Sequence, residues 1–186
     1  MEHRIDDPDV QMLADIAGTL KCDYVPQGIA DPWAGSPFAW IHPRPTSSQV
    51  GKIAKEFVAR WCRAKGLEVA RSGDSQADLL VARRRVEIKY SCLWASGDYR
   101  FQQIRDQDYE FVLCLGLSPF NAQCWVIPKK VALQYAIPQH TGRGGRDTRW
   151  LSFPAAYPPI WLQEFGGKLA DAYRILSPWQ RAQTPR

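Results

Sequence analysis

The sequence predicts an α/β (α+β) protein with a central mixed β-sheet flanked by helices, and three stretches carry that prediction. Residues 46–65 read as a capped amphipathic helix, 75–91 as a hairpin of two apolar runs around three arginines, and 109–117 as a strand covered on both faces. Helix, three-stranded meander, connection, two strands and helix, in that order, is the pattern of a sheet packed between layers. With 186 residues, 45% of them hydrophobic, the chain can bury the core of one compact domain. Composition divides it into 1–45, a helix and an aromatic, Pro-rich segment packed on the core; 46–137, the core itself; and 138–186, a basic extension.

From the N-terminus, Met12, Leu13, Ile16 and Leu20 recur at helical spacing behind an acidic cap. The segment that follows, with Trp33, Phe38 and Trp40 among several prolines, is too aromatic for a flexible linker and too broken for a long element. Thr46 and Gln49 match a capping box, and Val50, Ile53, Ala54, Phe57, Val58, Trp61 and Cys62 form one helical stripe until Gly66 stops it. Residues 67–71 alternate as a first strand, and 71–75 turn into the hairpin. Residues 92–100 read as a loop and 101–109 as a run of long polar groups. After the strand at 109–117, residues 123–128 form the next and 131–136 begin a helix behind Pro128. Residues 150–153 are expected to be a strand, and 159–176, interrupted by Gly166 and Gly167, one or two helices.

Chemistry concentrates in the hairpin. A turn of two residues (Arg83, Arg84) or four (82–85) sets Asp78 opposite Lys89 and Glu87 opposite Leu80. Asp78, Glu87 and Lys89 then project to one face, with cross-strand side chains starting about 5 Å apart, while Val86, Ile88 and Tyr90 face a core. Glu87 and Lys89 alone would be ordinary surface alternation. Asp78 changes the balance, because an acid set among Ala77, Leu79 and Leu80 is costly to bury unless something binds it, and a divalent cation would. Asp74 competes for the same role, but it follows Gly73 and reads as a turn residue.

Asp78, the eight-residue gap, Glu87-Ile88-Lys89 and the upstream helical Glu56 resemble the PD-(D/E)XK nuclease superfamily, whose core the type II restriction endonucleases share. The resemblance spans roughly residues 45–130, with Ala77 where the superfamily usually has Pro. It implies a restriction-endonuclease-like core and a Mg²⁺ held by Asp78, Glu87 and the Ile88 carbonyl, with Glu56 from the first core helix completing the set. It implies that Lys89 orients the attacking water, and that Gln103 and Arg105, in a Gln-Ile-Arg run, hold water or backbone near the scissile phosphate. The expected activity is a metal-dependent endodeoxyribonuclease acting on double-stranded DNA in restriction-modification, as a homodimer and without a small-molecule cofactor. A Holliday-junction resolvase or DNA-repair nuclease would carry the same pattern, and a DNA-binding module with a vestigial site is the reading of another class.

Charge agrees with a DNA partner. Residues 1–45 carry three basic and seven acidic groups, 46–137 fourteen and nine, and 138–186 seven and three, so the net +5 concentrates on the core and the tail. Arg143, Arg146 and Arg149, interspersed with glycines, suit phosphates or guanine edges, and Arg84 of the hairpin joins them as a DNA-contacting candidate; an exposed loop is the plainer reading of that tail. Its glycines lack the Lys-Ser or Lys-Thr of a phosphate loop. No apolar run approaches the length of a membrane span, and the acidic start lacks the regions of a signal peptide, so a cytoplasmic protein is expected. Cys22, Cys62, Cys92, Cys114 and Cys124 show no paired-ligand spacing and read as reduced core thiols, with zinc on Cys92 and a histidine as the lesser alternative.

Overall fold

A computed structural model describes residues 5–24, 35–41, 47–139 and 148–182. Among the described residues, four α-helices, α1 (Pro8–Tyr24), α2 (Ser47–Ala64), α3 (Lys129–Tyr135) and α4 (Leu169–Arg181), accompany nine strands. These are β1 (Val69–Arg71), β2 (Leu79–Val81), β3 (Arg84–Cys92), β4 (Asp98–Ile104), β5 (Phe111–Ser118), β6 (Asn121–Pro128), β7 (Ile137–Gln139), β8 (Thr148–Pro154) and β9 (Gly166–Lys168). One mixed sheet runs β1-β2-β3-β5-β6-β9, with the β3–β5 pair parallel, and a smaller antiparallel sheet runs β4-β8-β7. The expected mixed sheet with flanking helices is present.

Strand alternation divides the core in two. Leu113, Leu115 and Leu117 of β5 and Val86 and Ile88 of β3 face α1, α2 and α4, whereas Val112 and Cys114 face the small sheet. Gly116 falls on that second face because the Tyr99 ring lies against it, 2.7 Å from where a Cβ would stand. Helix α1 is capped by Asp7, whose Oδ1 accepts the Asp9 and Val10 N–H groups at 2.9 and 3.3 Å. Its buried stripe is Val10, Leu13, Ala17 and Leu20, with Met12 and Ile16 on the margin. Phe38 and Trp40, from the Pro-rich segment, pack on Phe57 of α2. Helix α2 ends at Gly66 (φ +78°), where Leu67 N–H returns to Cys62 C=O at 2.9 Å. Thr46 of the capping box lies outside the described residues.

Four readings of the sequence are corrected. The hairpin turn is Ala82–Arg83, both left-handed (φ 45° and 64°), so the register pairs Leu79 with Val86 and Val81 with Arg84. Arg84 and Arg85 therefore begin β3, held there by Glu110 and Asp74, and the turn still closes with an even number of residues. Residues 98–104, read as loop and polar run, form β4: Tyr99 and Phe101 point inward, and a bulge at Gln103 (φ 59°) resets the phase before Ile104. Gly166 and Gly167 do separate two helical stretches, a 3-10 turn at Ile160–Phe165 and α4, but they are not a bare break: they pair with Trp125 and Cys124 as the outer strand β9. Strand β7, three residues with a central proline, went unread.

Among the described residues no helix is long and apolar enough to cross a membrane. Cys62, Cys92, Cys114 and Cys124 are free thiols, and burial pushes Cys62 up to about 12 and Cys92 up to about 11. All three histidines fall outside the described residues.

Candidate active site

The site forms where β2 ends beside β3. Leu79 is the first residue of β2 and pairs with Val86, so two residues further along β3 the Ile88 N–H meets no strand partner on that edge. The Asp78 carboxylate replaces it, Oδ2 accepting the Ile88 N–H at 2.8 Å. Asp78 N–H in turn donates to Val86 C=O at 3.0 Å. Because the N–H and C=O of one strand residue leave on the same side, the Ile88 carbonyl points out of this same edge.

Glu87 and Lys89 alternate with Val86, Ile88 and Tyr90 and so lie on the face opposite the helices. Their side chains are 11% and 14% exposed and form an ion pair, Lys89 Nζ to Glu87 Oε1, at 2.7 Å. The expected partnership of Asp78 with Lys89 does not form; the ammonium against Asp78 Oδ1 belongs to Lys55 of α2. Burial lifts the Glu87 carboxyl above its ordinary 4.5, Lys89 pulls it back, and the charge of Asp78 pushes it up again. The two carboxylates are thus close enough to feel each other, which is the condition under which a divalent cation relieves both.

Helix α2 runs along this edge and walls two clefts. One, about 310 Å³, is lined by Val50 and Ala54 on the helix side and by Lys89, Ser91, Trp94, Arg100 and Gln103 on the sheet side. The other, about 640 Å³, carries Asp78, Glu56 and Lys55. Gln103 therefore shares a cleft with Lys89, in a left-handed conformation uncommon for a residue with a side chain. Glu56 shares a cleft with Asp78, but its Oε2 is held by Arg60 Nε at 3.4 Å, and Lys55, one residue earlier, is what reaches the site.

The remaining predicted residues scatter. Arg105 follows β4 with its Nε buried and unpartnered, and its carbonyl accepts the Tyr109 hydroxyl at 2.6 Å. Arg84 pairs with Glu110 at 2.8 Å and lies over the Trp179 ring, and Arg149 donates to the Leu133 carbonyl at 2.9 Å. Arg143 and Arg146 lie outside the described residues. Asp74 is a turn residue as expected, its carboxyl held low by the Gln76 N–H and by Arg85. Sequence reasoning missed Lys55, whose only signal was its place one residue before the expected helix acid. It also missed Arg100, which stacks 4.1 Å from the Trp94 ring centre in the cleft that Lys89 also lines.

No protein-family model and no curated protein sequence matches the chain. Among solved structures, the chain is similar to a bacterial homing endonuclease, I-Ssp6803I, with a TM-score of 0.49 and 15% identity. The match covers 75% of this chain and 97% of the other.

The donor set fits a hard cation. Asp78 and Glu87 offer carboxylate oxygens and Ile88 a carbonyl, the ligand chemistry of Mg²⁺. Among the described residues, no group of three His, Cys, Asp or Glu side chains gathers, so such an ion would complete its shell with water and substrate oxygens.

Proposed function

We propose that the protein is a Mg²⁺-dependent endonuclease of the PD-(D/E)XK type that hydrolyses phosphodiester bonds of double-stranded DNA, with restriction-endonuclease character. The observation that carries this reading is the meeting of Asp78, Glu87 and Lys89 at one edge of β3, where the charge of Asp78 adds to burial in raising the proton affinity of Glu87 and a lysine is bound to that same Glu87. A purely structural ion pair needs neither the second carboxylate nor a groove open beside it.

In this reading Asp78, Glu87 and the Ile88 carbonyl hold the cation, which supplies Lewis-acid polarisation of the phosphate and a more acidic water. Asp78 is oriented by the Ile88 N–H, and Glu87 by Lys89. Lys89 donates to the attacking water and offsets charge on the phosphorus as the water oxygen bonds to it, the ester P–O bond breaks and a proton passes to the leaving sugar oxygen. Gln103, on the same side of the cleft as Lys89, positions that water or the phosphate, and Arg105 contacts the DNA backbone near it. Glu56 lies in the neighbouring cleft as an outer carboxylate that Arg60 must release before it serves. Arg84, Arg143, Arg146 and Arg149 extend the DNA surface, Arg84 and Arg149 by exchanging their present partners for phosphate. A homodimer would place two such sites on the two strands.

The test is incubation of supercoiled plasmid, linear duplex and four-way junction DNA with the protein and Mg²⁺, with EDTA and Lys89→Ala as controls. Metal-dependent breaks that disappear in the variant support the reading. Absence of breaks on every substrate overturns it, and preference for the junction replaces restriction with resolution.

A further inference from the structure

The proposed hydrolysis draws on the acids of the larger cleft, Asp78 and Glu56, and leaves its basic residues without a role. One face of α2 presents Lys52, Lys55 and Arg63 to it, and Arg71 stands on the opposite wall. The two other acids in that wall are committed elsewhere, Glu56 to Arg60 and Asp74 to Arg85. Among the described residues Lys52 and Arg71 pair with no acid, so basic charge is in surplus where the cleft opens. At its inner end stands Lys55, 44% exposed on its four-carbon stem and set against Asp78 Oδ1.

We propose that this cleft binds a phosphodiester segment of the DNA, and that Lys55 then exchanges Asp78 for a phosphate oxygen and leaves Oδ1 free for the cation. The inference rests on the nuclease reading of Asp78 and Glu87. With Lys55 docked, two ammoniums face two carboxylates, and a divalent cation entering the site meets no net attraction. With Lys55 turned to phosphate, the site is one unit negative. DNA therefore tightens the cation, and the cation, by competing for Asp78, tightens DNA by the same factor. An ammonium on a flexible chain suits such an exchange, because its donors rotate and its charge needs no fixed geometry. Lys52 and Arg71 hold the neighbouring phosphates.

The experiment is calorimetric titration of Ca²⁺ into the full chain, with and without a short random-sequence duplex. In the native protein the duplex should tighten Ca²⁺ about tenfold, within the usual range of coupling between sites. Lys55→Met should bind Ca²⁺ about tenfold more tightly without DNA and lose the enhancement by DNA. Its log–log salt dependence for duplex binding should be shallower by about one unit. Lys55→Gln, polar and of similar reach, repeats the measurement so that no conclusion rests on a misfolded variant. Joint replacement of Lys52 and Arg71 by Met should weaken the duplex and leave DNA-free Ca²⁺ binding unchanged. Coupling that survives in both Lys55 variants, while Asp78→Asn abolishes Ca²⁺ binding, overturns the Lys55 exchange alone. Absence of Ca²⁺ binding in native and variant proteins alike overturns both this exchange and the site reading beneath it.

Discussion

Replacing Lys89 by Met should damage stability and activity by separable routes, and the separation is visible in pH. Lys89 and Glu87 are 14% and 11% exposed and 2.7 Å apart, so deleting the ammonium leaves a mostly buried carboxylate without its nearest positive charge. Breaking such a pair from one side costs about 3–5 kcal/mol while the remaining group stays charged. Glu87 has an escape. Burial has already raised its carboxyl above 4.5, Lys89 is the strongest influence opposing that rise, and Asp78 reinforces it, so without Lys89 the carboxyl rises further and takes up a proton. An acid whose folded value lies above its unfolded one lets the folded state bind the extra proton, so stability is lost as pH climbs from 4.5 and regained as it falls. Thermal unfolding without added divalent ions should therefore show a deficit near pH 7.5 of about 3 kcal/mol, some 6–12 °C for a chain of this size. Most of that deficit should vanish near pH 5, and adding Glu87→Gln to the variant should remove the pH dependence. Cleavage should fall on the order of a hundredfold to a thousandfold even where the fold is intact. A stability deficit that is equal at both pH values, or unaffected by Glu87→Gln, would refute the account of a buried carboxylate balanced by one lysine.

Asp78→Asn keeps an oxygen for the Ile88 N–H, so it should fold normally while losing metal-dependent cleavage by roughly a hundredfold or more, read by plasmid nicking beside circular dichroism. Gln103 sits at φ 59°, where glycine is at ease and a branched side chain is not, so urea unfolding should find Gln103→Val about 1–2 kcal/mol less stable than Gln103→Gly. Both variants should cleave more slowly, since both lose the amide from the cleft that Lys89 lines; unimpaired cleavage by either would remove Gln103 from the site. Gly116→Ala should lower stability by about 1–3 kcal/mol in the same assay, because Tyr99, only 1% exposed and wedged against Phe101 and Trp125, has no room to withdraw. Equal stability would mean that the ring contact is looser than it stands.

The central layer and the acids at its edge were legible because they follow from period and parity. The β5 run is apolar on both faces and lies between two packed layers, and the meander was right because an even turn keeps Asp78, Glu87 and Lys89 in phase wherever it falls. Its position was misread by one residue. Three arginines marked exposure, yet the chain turns at Ala82, which is fully buried and donates its N–H to Glu68 C=O, while Arg84 and Arg85 stay on the strand through acids distant in sequence. Those acids are tertiary information. Strand β4 was hidden by the bulge at Gln103, which breaks alternation where a reader looks for it. Lys55 was hidden by expectation, because an acid sought on α2 drew attention to Glu56, and the twist of the helix decides which of two neighbours reaches Asp78.

The outer strand β9 bears on how the molecule is made. Its partner β6 is finished about forty residues earlier and is rich in Trp, Val and Ile, so a growing chain leaves the ribosome with an unpaired, sticky margin. Only when Gly166 and Gly167 lay their bare backbone along Cys124 and Trp125, and α4 closes over them, is that margin sealed. Shortened chains ending before residue 166 should accordingly self-associate rather than stay dispersed, even though Asp78, Glu87 and Lys89 are already present in them.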